Sequence, residues 1–86
     1  MTVEEYIVAN LTDRGMPNSG INKVLSVMKN EHPEVHWQDE REGYPRPLLV
    51  GLVTIAINGA LKWIDENCPQ AWYRPMFVGE VKNEVD

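Results

Sequence analysis

Apolar residues recur at intervals of three and four along the first third of the chain, the period of helices with one buried face. Val3, Ile7 and Leu11, with Tyr6 beside them, form one such stripe. Thr2 followed by Glu5 is a capping-box pattern, so the first helix runs from there through Arg14. Gly15 and Pro17 mark its stop. Asn18 or Ser19 then caps a second helix that extends to Glu31. On it Ile21, Val24, Leu25, Val27 and Met28 share one arc, while Asn22, Lys23, Ser26, Lys29 and Asn30 share the other.

The pattern changes at Leu48. From there to Ile64 the chain reads LLVGLVTIAINGALKWI, and no charge falls between Arg46 and Lys62. A membrane-spanning helix needs roughly 20 consecutive apolar residues, whereas this run meets Thr54 and Asn58 before it reaches Lys62. At about 100° per residue, Gly51, Thr54, Asn58, Lys62 and Asp65 line up as one narrow stripe. Lipid gives no reason for that alignment, whereas a long central helix with one wet edge in a small bundle does. The helix should end near Asn67, before Pro69. Gly51 and Gly59 each weaken a helix interior by about 1 kcal/mol relative to alanine. Close approach of a neighbouring helix is the expected reason.

Between these helices, Pro33–Glu42 (PEVHWQDERE) is expected to form a short third helix opened by its proline, with Val35 or Trp37 as the anchor. An extended piece over Val35–Trp37 is the alternative. GYPRP over 43–47 reads as a stiff extended connector. After the central helix, Ala71–Tyr73 should add one turn, Met76–Asp86 should be loosely ordered, and 78–86 should fray. The fold class is therefore all-α: a single helical domain over 1–86, with two short amphipathic helices packed on a long apolar one and an irregular aromatic arm.

Composition refines this picture. Eighty-six residues suffice for one modest core, and 43% apolar residues fit a folded soluble protein. The formal charge of −5 disfavours a general binder of nucleic acid or anionic membranes, since phosphate contacts need a basic face. Cys68 is the one cysteine, which excludes an internal disulfide framework. With no basic leader in the acidic start, a cytoplasmic location is expected.

Candidate chemistry is sparse. His32 and His36 stand four apart near Asp39 and Glu40, but HPEVH is not the zincin pattern and Pro33 separates the histidines, so no metal is expected. The acids Asp39, Glu40 and Glu42 have no evident cleft to raise a pKa. Cys68 lacks a nearby base, Ser19 lacks elbow glycines, and no glycine-rich phosphate loop is present. No catalytic residue, cofactor or family is assigned.

Two surfaces invite binding. The arm gathers Trp72, Tyr73, Arg74, Met76 and Phe77, residue types enriched in interface centres, and is the candidate partner-binding site. Its structural alternative is a lid, with Trp72 and Phe77 closing one end of the core. The second helix, behind a tight turn, has the outline of a helix-turn-helix recognition element. Its face of Asn22, Lys23, Ser26, Lys29 and Asn30 is the alternative, nucleic-acid-binding site.

The expected function is a non-catalytic protein-binding regulatory module: an adaptor, inhibitor or small subunit. DNA binding is the alternative, and a membrane-associated small protein the third reading. The central helix is apolar around most of its circumference, and two flanking helices cover about half of that surface. The shortfall predicts a homodimer with the arm and an edge near Gly51 or Gly59 at the contact.

Overall fold

The computed structural model describes residues 1–78. It is an all-α bundle of three long helices, α1 (Val3–Asp13), α2 (Asn18–Glu31) and α3 (Arg46–Asn67), with a short 3₁₀ turn at Arg41–Gly43. A final helical turn covers residues 75–78. All three long helices pack against one another. The expected frayed tail lies, apart from Val78, outside the described residues.

Local chemistry sets the ends of α1, whereas α2 begins at Asn18 behind Pro17 with no side-chain cap, so neither Asn18 nor Ser19 caps it as expected. The Thr2 hydroxyl accepts the Glu5 N–H at 3.1 Å, and the Glu5 carboxylate accepts the Thr2 N–H at 2.8 Å, completing the capping box. At the far end Gly15 takes φ 91°, a region costly for other residues. The N–H of Gly15 reaches Thr12 and that of Met16 reaches Leu11, the paired bonds of a Schellman motif. Leu11 and Met16 are both buried, which closes the motif with an apolar contact.

The core is continuous. Val3, Ile7 and Leu11 of α1 meet Ile21, Val24, Leu25 and Met28 of α2, and both sets meet Leu49, Leu52, Ala56, Ile57, Ala60 and Ile64 of α3. The polar stripe of α3, from Gly51 through Asp65, is exposed as its spacing requires. Val27 departs from its expected arc: it lies at the rim of α2 and is 40% exposed.

Three expectations about the middle of the chain are corrected. Residues 33–40 form turns and Arg41 and Glu42 enter the 3₁₀ turn, so the expected third α-helix over 33–42 is absent, because the backbone of this segment serves α1. The carbonyls of Asp39 and Trp37 accept the N–H groups of Val3 and Glu4 at 2.9 and 3.0 Å, and the Arg41 N–H donates to the Met1 carbonyl. Among the described residues, one antiparallel bridge pairs Thr2 with Glu40. Trp37 is the buried anchor, with Val35 half-buried. The 43–47 connector is shorter than expected: Pro45 caps α3, and Arg46 and Pro47 already belong to its first turn, where a missing N–H costs nothing.

The helix glycines are the third correction. Neither Gly51 nor Gly59 marks a tight helix crossing. A Cβ on Gly51 would meet nothing within 4 Å, and one on Gly59 would sit at an ordinary 3.5 Å from Val24. The close approach is instead at Gly20 of α2, where a Cβ would lie 2.8 Å from the ring of Trp63 on α3.

Candidate interaction surface

The arm after α3 is built by short-range bonds. The Ala71 N–H reaches the Cys68 carbonyl, the Met76 N–H the Tyr73 carbonyl and the Phe77 N–H the Arg74 carbonyl. This winding brings Tyr73 and Phe77, four apart, to the same side, and both are buried. Trp72 and Met76, also four apart, turn outward and are 72% and 50% exposed. The five residues singled out in the sequence thus divide. Tyr73 and Phe77 close the end of the core, Trp72 and Met76 face solvent, and Arg74 fastens the arm to α3. Met76 stands in the last described helical turn, where a loosely ordered segment was expected.

Several contacts hold this arrangement. Arg74 Nε donates to Asp65 Oδ1 at 2.8 Å. That bond lowers the Asp65 carboxyl below its ordinary range and raises the guanidinium of Arg74. The Tyr73 hydroxyl lies 3.1 Å from the Cys68 sulfur. Burial first, and the Cys68 contact second, push the Tyr73 phenol up to about 12. Gly15 completes the seat: a Cβ there would come within 2.8 Å of Trp72 Cη2 and 3.1 Å of Tyr73 Cβ. The Trp72 and Tyr73 rings meet edge-on, 5.7 Å apart at 88°. Trp72 is therefore a wedge whose rim touches the α1–α2 turn and whose body is open.

The outward face of α2 is laid out as the alternative site requires, with Asn22, Lys23, Ser26, Lys29 and Asn30 all exposed. Its charge is partly spent. Lys29 is ion-paired with Glu4 of α1. Lys23 borders a small recess of about 140 Å³ that also contains Lys62, Trp63 and Glu66.

The histidines do not converge. His32 Nδ1 lies 3.2 Å from Glu34, and His36 Nδ1 lies 3.7 Å from Asp39. Among the described residues, no three histidine, cysteine or acidic side chains gather as a metal site. Glu42 is bound by Arg41 at 3.0 Å, which lowers its carboxyl. Asp39 and Glu40 are exposed, as is Ser19.

One surface escaped the sequence reading. Between the start of α3 and the turns before it lies an apolar groove of about 390 Å³, lined by Val35, Tyr44, Leu48, Leu52 and Ile55. His32 and Glu34 give it a polar rim. Leu48 is 55% exposed at its mouth. The signal for it was the position of Leu48 itself, on the same side of α3 as Gly51 and Lys62.

α3 is long and apolar enough to cross a membrane by length and composition, and a third of its most apolar window is buried within the fold. No protein-family model, curated protein or solved structure matches the chain.

Proposed function

We propose that the protein is a non-catalytic protein-binding regulatory module, of the adaptor, inhibitor or small-subunit kind, that docks through its aromatic arm. The observation that carries this reading is the outward pair Trp72 and Met76 on a fastened segment. Tyr73 and Phe77 fix the arm in the core, and the Arg74–Asp65 bond fixes it to α3. A large aromatic held in place before binding loses little conformational freedom on docking, which suits it as an anchor. Trp72→Ala with Met76→Ala removes mostly exposed atoms, the Trp72 edge against Gly15 and Tyr73 excepted, so the chain should still fold, with at most a slightly lower melting temperature, while partner capture from the source cell is lost. A partner retained equally by native and doubly substituted protein sinks the arm as the contact.

A second reading, DNA binding through α2, is favoured by the exposure of Asn22, Lys23, Ser26 and Asn30 on one face. It requires duplex binding at low salt that weakens steeply as salt rises, and Lys23→Ala should reduce the salt slope by about one. Failure to shift any duplex at low salt retires it. The third reading, association of α3 with a membrane, requires flotation with lipid vesicles.

A further inference from the structure

We propose that α3 pairs antiparallel with α3 of a second copy, along the row Leu48, Gly51, Ile55, Asn58 and Lys62. The proposal deepens the protein-binding reading by naming one partner, but it uses a different surface from the arm. The row's spacing is three, four, three and four, the interval that keeps one seam facing a partner helix. Leu48, Gly51, Asn58 and Lys62 are exposed and Ile55 is half-buried; nothing stands within 4 Å of where a Cβ on Gly51 would lie, and Lys62 borders the recess beside Lys23 of α2.

The row is self-complementary when reversed. Centred on Ile55, an antiparallel copy sets Ile55 against itself and Leu48 opposite Lys62, and brings Asn58 to within about one residue's rise, roughly 1.5 Å, of Gly51. The open space over Gly51 receives the larger Asn58 side chain of the second copy. The stem of Lys62 then lies over Leu48 and the mouth of the groove. Glu34 stands on that groove's rim, its carboxyl lowered by its backbone N–H and by His32. Lys62 makes no ion pair among the described residues, and the reversed copy offers it this carboxylate twice per dimer. Ile55 supplies the apolar centre, Leu48 an apolar contact under the Lys62 stem at each end, and Asn58 fixes the register, as a single polar residue in a helical seam does.

The test uses the full chain in sedimentation velocity from low to high micromolar concentration. A dimer is expected at the upper end. Gly51→Leu should keep helix content and melting temperature, or raise them, and weaken association at least about tenfold, because it fills the space Asn58 needs. Lys62→Glu and Glu34→Lys should each weaken it roughly three- to tenfold, and the two together should restore it. With Cys68 replaced by serine, Ile55→Cys should form a disulfide-linked dimer under mild oxidation, whereas Leu48→Cys should not. Equal cross-linking at both positions means a parallel pair and overturns the proposal. A monomer at several hundred micromolar, or a dimer untouched by Gly51→Leu and by both charge reversals, also overturns it. Trp72→Ala with Met76→Ala should leave the dimer intact, so failure of the arm and failure of this pairing read out separately.

Discussion

Gly20 and Gly51 both lie within continuous helices, and their surroundings are opposites. At Gly20 the missing side chain admits Trp63 of α3, and a Cβ would also meet Met16 Cε at 2.6 Å. At Gly51 nothing lies within 4 Å. The first glycine is explained by the chain's own packing. The second weakens α3 with no packing return inside the described fold, and the proposed pairing of α3 would supply one. The same residue type thus reports internal tightness in one region and an unfilled surface in the other.

The largest effect that bears on this contrast comes from Leu52, which belongs to the core and also lines the open groove. Leu52→Ala should cost about 2–5 kcal/mol, most of what a domain of this size has in hand. A melting temperature within about two degrees of native would mean that α3 is not seated as described. Gly20→Ala comes next. Forcing Trp63 and Met16 aside should destabilise by about 1–3 kcal/mol, seen as a lower urea midpoint. If the midpoint holds, the crossing at Gly20 is looser than its distances imply.

Gly51→Ala should do the reverse. Measured at low micromolar concentration, it should stabilise by about 0.5–1 kcal/mol, because an exposed helix glycine is replaced without a clash. A loss of stability would show that the space above Gly51 is already filled. The smallest effect is alkaline and concerns the arm. The Tyr73 phenol is about 12 in the folded chain against an unfolded value near 10. Its burial therefore contributes fully below pH 10, and that contribution fades as pH rises toward 12. Tyrosine absorbance should show a late-titrating phenol that Tyr73→Phe removes. Absence of that late step would place Tyr73 at the surface.

Much of this architecture is legible in the sequence, for local reasons. The α1 and α2 stripes repeat at helical spacing, and Thr2, Glu5 and Gly15 act within a few residues of their targets. The hidden parts depend on distant partners. Nothing within residues 33–42 announces that their carbonyls will cap α1, so a proline followed by acids reads as a helix start. In the arm the i, i+4 pairs Tyr73–Phe77 and Trp72–Met76 are visible, but which pair turns inward is decided by the seat at Gly15 and the bond to Asp65. Gly51 and Gly20 look alike in one dimension, since only the third reveals what stands above them.

The backbone bonds from Val3 and Glu4 to residues 39 and 37 have a kinetic consequence. The first N–H groups of a helix ordinarily exchange with solvent through fraying. Here two of them are held by a segment that follows α2, so the leading turn of α1 can open only if the loop spanning α2 opens with it. Deuterium uptake at Val3 and Glu4 should therefore track uptake at Arg41, whose N–H closes the same junction on Met1. During folding, α1 gains its full set of bonds only after that loop has closed, which makes its N-terminal turn a late, cooperative event despite its strong local cap.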